Sequence, residues 1–162
     1  MNAKPVPDGY TTVTPWIISR DTAWLIDYLK EAFGAEEIAR LTGAGGRIEH
    51  AEVRIGNAVV MMFDARPHWP TTPAFLRIYV ADADATHRRA VAAGGTSVTD
   101  VTHLFSGDRV GRVRDPLGNL WWIQTHIEDL GSQELERRLS DPVFTRAMEY
   151  VQNADFFPGS NC

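Results

Sequence analysis

The stretch GDRVGRVRDPLGNLWWIQTH, residues 107–126, decides the fold. Two runs that alternate apolar and polar residues flank Asp115-Pro116-Leu117-Gly118-Asn119. Alternation of period two is the mark of a strand with one buried face, and glycine supplies the positive φ that a tight turn between strands demands. The same pattern occurs earlier in the chain. RIEHAEVRIGNAVV (residues 47–60) set beside RVGRVRDPLGNLWW (residues 109–122) brings Gly56-Asn57 onto Gly118-Asn119, 62 positions on, with apolar residues following each pair. Upstream, WIISRDTAWLIDYLKEAFGA (residues 16–35) parallels RIYVADADATHRRAVAAGGT (residues 77–96) at an offset of 61.

Each half therefore reads as a strand, a helix and three further strands. In the first, residues 13–18 are β-branched and apolar, Asp21 is placed to cap a helix, and Leu25, Tyr28, Leu29, Ala32 and Phe33 recur at helical spacing. Gly34 is suited to the left-handed residue that ends a helix. A strand near residues 38–41, a glycine-rich turn (43–46) and the hairpin follow. The second half repeats this as residues 75–80, a helix over about 84–93, a strand near 97–101 and the second hairpin. Prolines and threonines in RPHWPTTP (residues 66–73) forbid regular structure and mark a linker. Beyond His126 the pattern turns helical. Ser132 is read as a cap, and Asp141-Pro142 opens a second helix with Phe144, Ala147, Met148 and Val151 on one face. The expected fold is α+β: paired β-α-β-β-β modules (residues 10–66 and 74–126) forming a concave mixed sheet around a cavity, as a single domain over residues 1–130. Residues 131–162 form a C-terminal helical extension. Neither module is large enough to bury a sheet face alone, so the two are expected to pack together.

Composition narrows the function classes. The formal net charge is -5 and no Lys/Arg cluster stands out, which argues against nucleic acid as a partner. One cysteine, Cys162, excludes an internal disulfide framework and a thiolate metal cluster within the chain. No run approaches the length of a membrane span, and MNAKPVPDGY lacks the apolar centre of a secretion signal, so no membrane partner and a cytoplasmic location are expected.

The doubled unit ending in Asp-Pro-x-Gly-Asn resembles the vicinal oxygen chelate superfamily of glyoxalases, extradiol dioxygenases, and fosfomycin and bleomycin resistance proteins. VPDGYTTVTPWI, IEHAEVRIGNAVVMM and GDRVGRVRDPLGNLWWIQTHIEDL look most like its PhnB-like branch. The resemblance spans about residues 7–130. It implies a concave sheet in each half facing a shared cavity, and a homodimer. Its enzymes hold a divalent metal on strand residues, and those positions fall here on Thr14, Val60, Phe75 and Trp122. None is a histidine or carboxylate, so the expectation is no metal and no cofactor; a shifted divalent site is the alternative.

Alternation then places Trp16, Ile18, Met62, Arg77, Tyr79, Leu120, Gln124 and His126 on the same face as those four positions. Trp16, Met62, Phe75, Arg77, Tyr79, Trp122 and Gln124 are the candidate ligand-binding residues, an apolar and aromatic cup with a few polar groups. Trp122 reads equally as pocket or core, whereas Trp121, on the opposite face, is expected to pack against a helix. His50 and Glu52 point the same way from one strand and are the candidate catalytic pair, a base with its orienting carboxylate; a salt-bridged sheet face is the duller reading, since their repeat partners are taken as Arg112 and Arg114. His87, beside Arg88 and Arg89, reads as solvated, and His103 falls in a loop where LFSGDR would cover the cavity mouth. Three functions remain open: a metal-free protein that sequesters or carries a small aromatic or amphipathic molecule, a metal-dependent lyase, isomerase or dioxygenase, and a structural dimer with a filled cavity.

Overall fold

Aspartates at matching places start the helices of both modules. In the computed structural model, which describes residues 3–157, Asp21 accepts from the Trp24 N–H and Asp82 from the Ala85 N–H, each 2.9 Å away. These bonds satisfy amides that the first helical turn leaves without partners. Strand β1 (Trp16–Ser19) leads into α1 (Thr22–Phe33), then β2 (Glu36–Thr42), β3 (Ile48–Ile55) and β4 (Ala58–Asp64). The strands form one sheet in the order β1-β4-β3-β2, with β1 parallel to β4 and the other pairs antiparallel. The second module repeats the plan with β5 (Phe75–Tyr79), α2 (Ala83–Ala92), β6 (Thr96–His103), β7 (Asp108–Arg114) and β8 (Leu120–His126), in the order β5-β8-β7-β6. Helices α3 (Ser132–Leu139) and α4 (Pro142–Gln152) follow. The chain divides into two units at the boundary between Ala74 and Phe75. Cys162 lies outside the described residues.

The expected architecture is present: two β-α-β-β-β modules with mixed sheets and a helical extension. Details differ. Strand β1 starts at Trp16 rather than at residue 13, because Pro15 has no N–H to place in a ladder. The cap of α3 is Gly131, not Ser132, which is already helical. Asp141 caps α4 with Pro142 in its first turn, as its sequence implies.

In each unit one sheet face packs on a helix. Ile17, Ala51, Val53 and Met62 are buried with Leu25, Ile26 and Leu29 of α1 in the first. Val113, Trp121 and Ile123 are buried in the second, where α2 packs on β7 and β8. His87 belongs to that core. It is not solvated: only 8% exposed, its Nε2 lies 3.1 Å from both the Thr99 carbonyl and the Ser97 hydroxyl. Gly111 makes this possible, since a Cβ there would sit 2.9 Å from the His87 ring and 2.8 Å from Val101. The arginines that follow His87 are solvated, but a helix turns about 100° per residue and carries His87 to the other side.

The hairpins of the two modules differ by one residue. Glu52 pairs with Met61, nine positions on, whereas Arg112 pairs with Trp122, ten on. In the first, Gly56-Asn57 is the turn itself, between paired Ile55 and Ala58. In the second, Asn119 already pairs with Asp115, its carbonyl accepting from the Asp115 N–H at 2.9 Å, and the turn is Pro116-Leu117-Gly118. The counterpart of Asn119 is therefore Ala58, and the shared Gly-Asn dipeptide sits at different places in the two turns. A uniform offset of 61 along the outer strand, helix and last strand is seen again in a tether. The Thr22 N–H donates to Asp64 and the Ala83 N–H to Thr125, each at 2.8 Å.

Candidate functional site

A slip of one residue turns a strand over, so the hairpin comparison decides which side chains share a face. Trp16 pairs with Met61 and Ile17 with Met62. Met62, fully buried on the helix side, is thus not beside Trp16; Met61 and Phe63 are. The counterpart of Trp122 is Met61 rather than Val60. By the same register Glu52 corresponds to Arg112 and His50 to Val110, not to Arg114 and Arg112. In the second unit the expected faces hold: Phe75, Arg77 and Tyr79 of β5 pair with Leu120, Trp122 and Gln124 of β8.

In the first unit, the face away from α1 carries a hydrogen-bonded chain. His50 Nε2 lies 2.9 Å from Glu52 Oε1, and the Tyr10 hydroxyl donates to Glu52 Oε2. Hydrogen bonds from Tyr10 and then His50 hold the Glu52 carboxyl below the usual carboxylate range, while the same bond raises the Tyr10 hydroxyl. Trp16 meets His50 and Phe63 edge-on, at 6.1 Å and 5.7 Å between ring centroids. A cavity of about 370 Å³ adjoins them, lined by Trp16, Arg47, His50, Phe63 and Trp69 among others. The structure brings the His50–Glu52 pair together as their spacing predicts. Tyr10 escaped sequence reasoning because it precedes the first strand, where no periodicity assigns a side chain to a face.

The second unit holds the other candidates. Arg77, Trp122 and Arg112 stand in one row across β5, β8 and β7. The Arg112 guanidinium lies 3.9 Å from the Trp122 ring centroid and that of Arg77 4.8 Å from it. Phe156 meets the edge of Trp122 at 6.3 Å, and α4 packs against β6, so the C-terminal segment covers part of this sheet face. Beneath it a cavity of about 300 Å³ remains, with Arg77, Phe105, Arg112, Trp122, Gln124 and Met148 among its walls. Leu104 and Ser106 also reach it, as expected of LFSGDR; His103 itself ends β6, 3.2 Å from Glu128. Gln124 is 5% exposed, with its side-chain oxygen buried and unpartnered. Asp108 is bound by Ser106, Gln124 and His126. Phe75 and Tyr79 flank Arg77 on the same strand face and are exposed. Trp121 points the other way, fully buried, its indole N–H donating to Asp115 at 3.0 Å.

The metal positions implied by the family do not supply donors. Thr14 donates its hydroxyl to the Thr11 carbonyl, and Met61, Phe75 and Trp122 offer no oxygen or imidazole for a hard or borderline cation. Among the described residues, no three His, Cys, Asp or Glu side chains are grouped to hold a metal ion. No helix there is long and apolar enough to cross a membrane.

Comparisons with known proteins agree with this architecture. An uncharacterized protein of Mycobacterium bovis is 33% identical over 139 residues, covering 79% of this chain and 91% of that protein. Among solved structures, TioX from Micromonospora sp. ML1 superposes with a TM-score of 0.60 at 24% identity, over 75% of this chain and all of its own (100%). The fosfomycin resistance protein FosX from Listeria monocytogenes, solved with Mn(II) and a dihydroxypropylphosphonic acid, gives 0.57 at 18% identity, over 78% of this chain and 96% of its own. A PhnB protein from Bacillus cereus gives 0.54 at 14%, over 71% and 99%. At these identities the structures share the fold. The family model for the Glyoxalase/Bleomycin resistance protein/Dioxygenase superfamily matches residues 10–123, and the chain belongs to that superfamily.

Proposed function

We propose that this protein binds a small aromatic or amphipathic molecule without metal chemistry, in the manner of a sequestering or resistance protein, with Trp122 as the stacking platform. The observation that carries this reading is the cavity of about 300 Å³ whose wall combines Trp122 with Arg77 and Gln124. That size suits a ligand of one or two rings, and a mostly apolar wall with a few fixed polar groups is what such sites use. Trp16, with its own cavity, and the exposed Phe75 and Tyr79 are further candidate contacts in their respective units. Quenching of tryptophan emission by bicyclic aromatic ligands, abolished in W122A, tests the proposal; no saturable quenching by any such ligand would overturn it. The reading carries a homodimer with it, which light scattering measures.

A second reading rests on the chain Tyr10–Glu52–His50. A buried carboxylate that orients an imidazole beside an open cavity is the arrangement of a general base. Its test is metal loading followed by desalting. A tightly held ion lost in H50Q would favour metal-assisted catalysis at a shifted site over sequestration.

A further inference from the structure

Arg112 is 4% exposed, yet it forms no ion pair among the described residues. Its Nη1 donates to the Val151 carbonyl, and its Nε is buried without a partner. The rings of Trp122 and Phe156 lie over the guanidinium, 3.9 Å and 5.2 Å from its carbon, so a further acceptor would meet it in plane, on the side of the unpartnered Nε. Arg77, on the same row, has no ion pair among the described residues either; its guanidinium is held over Trp122. Asp108 lines the same cavity but forms no ion pair with Arg77 or Arg112; its carboxylate is bound by Ser106, Gln124 and His126 instead. Burial, then the like charge of Arg77, pull the Arg112 pKa below its usual value, which marks the cost of keeping this cation uncompensated.

We infer that the cavity of the second unit is an anion site: the ligand carries a carboxylate that pairs with the Nε–Nη2 edge of Arg112, assisted by Arg77, while its aromatic part lies against the Trp122 wall. The planar fork of a guanidinium matches a carboxylate in two parallel hydrogen bonds, and it does so best where water is excluded. Gln124 adds a second requirement. Its buried, unpartnered oxygen accepts a hydrogen bond, so a hydroxyl or amide N–H on the ligand gains affinity there. The ligand class is thus an aromatic carboxylic acid, preferably with a hydrogen-bond donor.

This inference rests on the binding reading above, and the test separates the two. 2-Naphthoate and the neutral isostere 2-naphthamide are titrated at pH 7 against the full chain, by tryptophan fluorescence and calorimetry. The acid is expected to bind about tenfold more tightly than the amide, the scale of a charge-assisted hydrogen bond. R112M, checked for folding by circular dichroism, should remove that preference, so that acid and amide bind equally. R77Q, at an exposed position, should weaken acid binding about three- to fivefold and raise no folding question. Equal binding of acid and amide by the unaltered protein would overturn the anion site and leave the aromatic pocket standing. Binding of neither, with no response from Trp122, would overturn both.

Discussion

The guanidinium of Arg112 lies 3.9 Å above the ring of Trp122, one strand away and directly opposite in the antiparallel register. A cross-strand pair of this kind is both a packing contact and a cation–π contact, worth about 1–2 kcal/mol where water is excluded. It also fixes the indole at the cavity wall. W122F should therefore keep the fold but weaken aromatic ligands about fivefold, while W122A abolishes measurable binding; calorimetry on both variants checks this.

Removing the buried charge should be inexpensive for the fold. In R112M the Val151 carbonyl loses its donor and Trp122 its cation–π contact, but an uncompensated cation leaves the interior. The two effects offset, and urea unfolding should place R112M within about 1 kcal/mol of the parent. A loss beyond about 3 kcal/mol would show that Arg112 is held for packing instead.

Asp115 offers the opposite case. Its carboxylate accepts from the Leu117 and Asn119 amides, the Asn119 side chain and the Trp121 indole, at 2.8–3.0 Å. It is buried, and four donors lose their acceptor together in D115A. Destabilisation of about 3 kcal/mol is expected, read as a lower urea midpoint at unchanged slope.

His126 supplies a pH signature. Its hydrogen bond to Asp108, then that to Asp129, raises its pKa above 6.5. The protonated form is favoured in the folded chain, so the contribution is complete below the unfolded value and fades as pH rises through the raised folded value. The Tm advantage of the parent over H126Q should be larger at pH 5.5 than at pH 8.5. A proton NMR titration of the ring should give a midpoint above that of a free histidine peptide.

His87 tests the core in a further way. G111A would drive a methyl group into its ring and Val101, and about 1–3 kcal/mol of stability should be lost in thermal unfolding. Gly118, with open space around it, should accept alanine at the smaller cost of its positive φ alone, 94° here.

Much of the fold was legible because strand alternation and helix caps are local signals. Asp21, Gly34, the linker prolines and the α4 stripe from Phe144 to Val151 each act within a few residues of their own position. The second unit's cup was legible for the same reason, since β5 and β8 keep an unbroken period of two. The first unit's was misread at Met62, because the Gly-Asn dipeptides looked equivalent and hid one extra residue in the second turn. Arg112 reads in the sequence as the repeat counterpart of His50, and its burial is not legible there because α4, thirty residues further on, is what covers it. Tyr10 and the core role of His87 depend on contacts that no spacing announces.

The unequal hairpins have a further consequence for diversification. A turn residue gained or lost leaves cross-strand partners in place while displacing every downstream residue number, so the parity of the insertion, not its chemistry, governs any comparison between copies. The extra residue lies in the Pro116–Gly118 turn, outside the Arg112–Trp122 row, and a Cβ added at Gly118 would meet nothing within 4 Å. Two modules of one plan thus keep a common scaffold with unlike interiors, a hydrogen-bonded histidine in one and a stacked arginine in the other.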